Sequence, residues 1–257
     1  MRKIIDISKW QGKIDWENLR ESDVAGVIIR FGSGCSTDTY AIENYTNAKK
    51  IGLDVGAYWY INEHENKTFF VNQFKRFKES IKGLQFELPI FIDAEKENLF
   101  SGTFDNLTML SQMKNMEKEN YYVGLYTNNY LYDKYCKDTQ FNKFYSWIAR
   151  YTRVSGEIHE TNYLKCKKPD YEKVDMWQYT DSVMTDYCKI NLVDYSIEYA
   201  NVTPLIKKLG LNGFTKPSPL DPMEQEPDNN DAEIEKLISE IENKLEILKR
   251  CLNETKK

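Results

Sequence analysis

The sequence is poor in the residues that most often announce a chemistry. Among 257 residues there are two histidines, His64 in NEHEN and His159 in GEIHETN, both in polar segments without a matching partner. That speaks against a histidine-based hydrolytic triad or a histidine-ligated metal, and both rings are expected to face solvent. Five cysteines, Cys35, Cys136, Cys166, Cys188 and Cys251, are scattered with no C-x-x-C spacing, which argues against a zinc knuckle or redox motif. An odd number without a secretory signal favours free thiols. No such signal is visible, because MRKIIDISKW reaches Asp6 after two apolar residues. No apolar run approaches the ~20 residues a membrane span needs, so no membrane insertion is expected. Charge of one sign is scarce too. With 35 basic and 40 acidic residues the net charge is -5, which gives no general attraction for nucleic acid or an anionic membrane. GSGCS (32–36) is glycine-rich but lacks the Lys and Ser/Thr of a P-loop, and reads as a loop after the second strand.

What the chain has is a rhythm. From residue 3 to about 209, short apolar runs alternate with longer mixed segments: KIIDIS (3–8), VAGVIIRFG (24–32), DVGAYWYI (54–61), LPIFIDA (88–94), YYVGLYT (121–127), YSWIARY (145–151), VDMWQYT (174–180) and CKINLVDY (188–195). Several are nearly continuous, the pattern of strands covered on both faces in a parallel sheet. Between them, IDWENLRESD (14–23) starts near an acidic cap, and 68–81 places Phe70, Phe74, Phe77 and Ile81 at helical spacing. The segment 103–120 carries Leu107, Leu110 and Met113 three apart. Eight strands separated by helices predict an α/β protein, a TIM-like (β/α) barrel or an irregular relative of it, over 1–214.

Composition changes at residue 215. TKPSPLDPMEQEPDNN (215–230) holds four of the seven prolines and predicts an extended linker. Beyond it, Ile234, Ile238, Ile241, Leu245, Leu248 and Leu252 form a heptad seam on a short amphipathic helix over 231–257, with Asp231 as its cap. Such a seam fits docking on the barrel or self-association into a homo-oligomer. From residue 224 onward there are ten acidic and six basic residues, which argues against anchoring to teichoic-acid-like polyanions.

The chemistry is carried by acids. IFIDAEKEN (90–98) is an apolar run that ends in Asp93 and Glu95. In a parallel barrel the active site lies at the carboxyl ends of the strands, and residues i and i+2 of a strand share a face roughly 6–7 Å apart. Two carboxyls so placed suit glycosidic bond cleavage, which needs a protonated acid at the leaving oxygen and a second carboxylate beside the developing cation. Their mutual repulsion raises one pKa. A lone D-x-E is more simply a salt bridge or cap at a strand end. Asp6 in IIDIS and Asp194 in LVDYS, however, sit at comparable places on the first and last runs. Burying isolated carboxylates costs several kcal/mol, so convergence on one acidic cleft is the economical reading. Tyr58, Trp59, Tyr60, Tyr126, Trp147, Tyr151, Trp177 and Tyr179 cluster near the same strand ends, where flat rings suit sugars, although many must be ordinary packing. An acidic cluster could instead hold Mg²⁺ or Ca²⁺.

With these residues in view, the sequence resembles glycoside hydrolase family 25, the muramidase-type lysozymes of phage endolysins and bacterial autolysins. The resemblance runs from about residue 3 to 209 and rests on six ordered motifs: IIDISKWQGKIDW, GAYWYI, IFIDAE, GLYTN, WIARY, and WQYT followed by VDYS. It implies hydrolysis of the β-1,4 bond between N-acetylmuramic acid and N-acetylglucosamine in bacterial peptidoglycan, with no metal or other cofactor. It makes Glu95 the general acid/base and Asp93 the stabilising or orienting carboxylate, with Asp6 and Asp194 completing the acidic floor. Tyr58, Tyr60, Tyr126, Trp147, Trp177 and Gln178 would line the sugar groove. It further implies synthesis in a host bacterial cytoplasm and action on the cell wall after release. The competing class is a non-catalytic glycan-binding barrel.

Overall fold

The computed structural model describes residues 1–64, 66–151, 168–170, 173–189 and 192–217. His159, Cys166, Cys251, the linker from 218 onward and the 231–257 helix lie outside the described residues. The apolar runs become strands: β1 (Arg2–Ile7), β2 (Val24–Ser33), a two-residue β3 (Ser36–Thr37), β4 (Asp54–Tyr60), β5 (Ile90–Asp93), β6 (Val123–Asn128), β7 (Tyr145–Ala149), β8 (Met176–Val183) and β9 (Val193–Glu198). The sheet runs β1-β9-β8-β7-β6-β5-β4-β2-β3, and an additional β1–β2 pairing closes it into an eight-stranded barrel with β3 hung on β2.

From β1 through β2, β4, β5, β6 and β7 to β8 every pairing is parallel, whereas β9 is antiparallel to both β8 and β1. Here the barrel departs from a regular βα repeat. The connection 184–192 is too short for the dozen or more residues of a parallel crossover, so the last strand returns as a hairpin. Asp194 therefore stands at the start of its strand and not, as the sequence pattern suggests, at its end. The reversal is what brings it beside the end of β1, in register with Asp6.

Alternation sorts the side chains into two cores. Ile4, Ile28, Phe91, Tyr145, Trp147 and Met176 fill the barrel interior with Leu88. The intervening residues, such as Ile5, Val27, Ile29, Trp59, Ile92 and Ile148, point outward into the larger core beneath the helices. Helix α1 (Trp16–Arg20) is capped by Asp15, whose Oδ1 accepts from Asn18 N at 3.2 Å. Helix α2 (Ala41–Lys50) precedes β4. Helix α3 (Lys67–Ile81) is capped by Asn66 and buries the expected Phe70, Phe74, Phe77 and Ile81. The short α4 (Asn98–Ser101) leads into α5 (Thr103–Lys118), which turns out differently from its leucine spacing. Leu107 is 61% exposed and the fully buried stripe is Met109, Met113 and Met116. A strict three-residue spacing drifts around a 3.6-residue helix, while the 4-3 spacing of the methionines stays on one face. A one-turn α6 (Asn129–Leu131) follows β6, and α7 (Thr203–Leu209) follows β9 with Pro204 in its first turn. Among the described residues no helix is long and apolar enough to cross a membrane.

Candidate active site

The interior-facing residue near the mouth of each strand defines the site. Asp93 closes β5 at 3% exposure. The ladder continues one residue further, Ala94 N donating to Tyr126 O at 2.9 Å, so Glu95 leaves the strand on the same side as Asp93. The two carboxyls are near enough for each to alter the other's proton affinity. Asp93 Oδ1 has no partner among the described residues. Burial, then the charges of Glu95 and Asp6, hold the Asp93 carboxyl well above the usual carboxylate range, with Arg30 pulling the other way. Glu95 is solvent-exposed as a residue, yet partial enclosure of its carboxyl still raises its pKa against the opposing pull of Asp93 and Lys96. Two neighbouring carboxyls resist ionising together, and burial adds to that resistance.

The floor is a second pair of carboxyls, organised by one amide. Gln178 Nε2 donates to Asp6 Oδ2 at 2.8 Å and to Asp194 Oδ2 at 3.2 Å. Its Oε1 accepts from Tyr126 OH at 2.6 Å and Tyr151 OH at 2.7 Å. An ionised carboxylate can only accept, so the acids turn the Gln178 Nε2 toward themselves and leave Oε1 to take the two phenol protons. Asp6 and Asp194 both rise above ordinary carboxylates. Burial leads in each case; the charge of Asp6 adds to the rise of Asp194, whereas the Gln178 hydrogen bond moderates that of Asp6. Tyr58 and Tyr60 complete the wall on β4. Burial followed by the negative charges raises both phenols, Tyr60 to about 12 with Glu95 and Asp93 the leading charges.

Two of the aromatics expected in the sugar groove are elsewhere. Trp147 points inward but lies under the floor, 1% exposed, against Tyr58, Phe91 and Tyr126, with its Nε1 donating to Ser196 Oγ at 2.9 Å. Trp177 is 2% exposed and faces outward in the helix-side core, its Nε1 donating to Arg150 O at 3.0 Å. Trp59 and Tyr179 face outward in the same way. Strand alternation decides this: Gln178 faces the interior, so Trp177 and Tyr179 cannot.

Sequence reasoning missed Arg30, inward on β2 and in register with Tyr58. Its guanidinium is clamped by Asp38, with Nε and a terminal nitrogen each 2.9 Å from Oδ2. Counting by twos from Ile28 would have placed this cation inside the barrel. Tyr151, 41% exposed, was noticed as an aromatic but not as a ligand of Gln178. The glycine-rich 32–36 segment is the β2–β3 hairpin. His64 is exposed as expected, its Nδ1 accepting from Asn66 N at 2.9 Å. Among the described residues no group of His, Cys, Asp and Glu is placed to hold a metal ion together.

An eight-stranded barrel with carboxyls gathered at one mouth defines a glycosidase-like protein. The family model of Glycosyl hydrolases family 25 matches residues 5–186, and the chain belongs to that family. It is 32% identical over 94 residues to the autolytic lysozyme of Clostridium acetobutylicum, covering 36% of this chain and 28% of the relative. The fold matches the catalytic domain of endolysin ply40 from bacteriophage P40 of Listeria monocytogenes, at 23% identity and TM-score 0.65, over 83% of this chain and 98% of that one. It also matches the modular autolysin LytC of Streptococcus pneumoniae, solved with a synthetic peptidoglycan ligand, at 29% identity and TM-score 0.60, over 77% and 46% of the two chains. The chain spans 64% or less of the length of the curated relatives it matches.

Proposed function

We propose that the chain is a lysozyme that hydrolyses the β-1,4 bond between N-acetylmuramic acid and N-acetylglucosamine in bacterial peptidoglycan. The adjacent Asp93 and Glu95 carboxyls at the end of β5 carry this reading. Glu95, the member open to solvent, is the general acid that protonates the leaving oxygen, and the resulting carboxylate then serves as base. Asp93, buried and with one oxygen uncommitted, acts on the sugar as an orienting or charge-stabilising group.

The Asp6–Gln178–Asp194 floor holds negative potential beneath the developing cation without carrying two full buried charges. Tyr58, Tyr60 and Tyr126 supply walls and hydroxyls for the sugar. Trp147 and Trp177 support these walls from behind and from outside, so we assign them no substrate contact. The family, together with an autolysin relative crystallised with a peptidoglycan ligand, supports the substrate class. The endolysin relative supports a phage or prophage enzyme acting on the wall from a producing bacterial cell.

Glu95→Gln keeps the shape of the side chain and removes the proton donor. We expect it to lower release of reducing ends from purified walls by at least about 10²-fold, the lower range for loss of a general acid. Mass spectrometry of wild-type digests should find muramic acid at the new reducing ends. Near-normal turnover by the variant, or glucosamine at those ends, would refute the assignment.

A further inference from the structure

Tyr151 ties the buried acidic floor to the rim of the mouth. We propose that it is a positioning residue for hydrolysis: its hydroxyl, acting through the Gln178 amide, holds the Asp6 and Asp194 carboxyls in the arrangement the reaction uses, and does not touch the bond being cleaved. The inference rests on the lysozyme reading above.

Connectivity comes first. Gln178 is 1% exposed, so its amide must find its partners within the protein. Its Oε1 offers two lone pairs, and two phenols fill them, Tyr126 from 2.6 Å and Tyr151 from 2.7 Å. Its Nε2 offers two protons, and the two acids take them, Asp6 at 2.8 Å and Asp194 at 3.2 Å. The amide is thus a saturated bridge with phenols at one end and carboxyls at the other. Hydrogen bonds in such a chain polarise one another, so a donor at Oε1 strengthens what Nε2 gives to the acids. A hydrogen bond to the charged form of an acid favours that form. Burial raises the Asp6 carboxyl, and the Gln178 bond opposes it. Tyr151 therefore acts on the charge of the floor from one amide away.

Construction comes second. Ala149 pairs with Gln178 across β7 and β8, Arg150 N donates to Gln178 O at 3.0 Å, and Trp177 Nε1 donates to Arg150 O at 3.0 Å. The backbone leading into Tyr151 is thus held on both sides of Arg150 by the strand that carries Gln178. Trp177, outside the sugar groove, helps to fix where the phenol starts. The two phenols do not duplicate each other. Tyr126 is buried on β6 with its ring 4.4 Å from that of Trp147, whereas Tyr151 is 41% exposed. Deleting the Tyr151 hydroxyl leaves the core packing in place and changes what Oε1 accepts. The ionisable groups that also bear on the floor are Tyr58, Asp93, Glu95, Asp181 and Arg30. They stand apart from this bridge and stay when that one oxygen goes.

The test is Tyr151→Phe in the full chain, which keeps the ring and removes one oxygen. Carboxyl carbon resonances of Asp6 and Asp194, assigned with single Asn variants, are followed against pH by NMR. The pair should titrate at higher pH than in the parent, by roughly 0.5–1 pH unit, the equivalent of one weakened hydrogen bond. A floor that keeps its protons to higher pH offers less negative charge beneath the developing cation. On purified peptidoglycan kcat should therefore fall about three- to tenfold on the acid side of the profile with KM kept, and that limb should move to higher pH. An unmoved titration, an unchanged kcat, or a loss confined to KM, as expected of a hydroxyl that binds the sugar, would overturn the inference. The titration needs no substrate and Glu95→Gln is assayed beside it, so a failure of the lysozyme reading shows separately from a failure of this one.

Discussion

A carboxyl at either end of this barrel is defined by what surrounds it. At the mouth, Asp6, Asp93, Glu95 and Asp194 are pushed upward by burial and by one another. At the opposite end, Glu198 is 1% exposed, 3.3 Å from Arg2 and 3.4 Å from the Tyr145 hydroxyl. Burial raises it from 4.5 to about 7, Arg2 opposing and Asp54 adding to the rise. A carboxyl bound more tightly to its proton when folded stabilises the protein fully below its unfolded pKa, and that contribution is lost as pH rises through the folded one. Glu198→Gln should therefore gain stability over the parent between pH 4.5 and about 7, by on the order of 1–3 kcal/mol. Thermal melts across pH 4 to 8 test this; a difference between variant and parent that does not grow with pH would refute it. The carboxyls were legible as residues in the sequence, D-x-E above all. How Asp6 and Asp194 are bridged was not, because that depends on a glutamine and two tyrosines brought from β6, β8 and the segment after β7.

At the scale of elements, strands were readable from their near-continuous apolar runs and α3 from its phenylalanine spacing, both direct imprints of backbone periodicity. The face of α5 was misread, since three leucine-like residues at equal spacing mimic a stripe that a 3.6-residue helix does not keep. The direction of β9 was also missed. The residues of a strand do not say which way it runs, and only the shortness of 184–192 does. The β2–β3 hairpin gives an element-scale prediction. A Cβ at Gly32 would lie 2.3 Å from the Trp59 ring and 2.5 Å from Ser36 O. Gly32→Ala should cost about 1–3 kcal/mol, the usual penalty of overpacking, and loosen the wall beside Tyr60. Denaturant unfolding that leaves the midpoint unchanged would contradict this packing.

For the whole molecule, residues 1–217 form a compact unit, and the heptad seam beyond it remains a statement about sequence. We propose that this segment self-associates. Sedimentation of the full chain should give a mass above the monomer, and a chain ending at Pro217 should give the monomer. Equal monomer masses would exclude it. A linked pair of barrels on one wall would gain avidity without new contacts. What the sequence by itself determined is what depends on near neighbours: strand and helix periodicity, the change of composition at 215, the family, and the acid at the end of each decisive run. Only the tertiary structure decided what depends on closure. It turned β9 around to lay Asp194 against Asp6, sent Trp177 outward, sank Trp147 beneath the floor, and turned Arg30 inward against Asp38. The physical reason is that a closed barrel couples strands far apart in sequence, and each residue's side of the wall follows from the register of its neighbours.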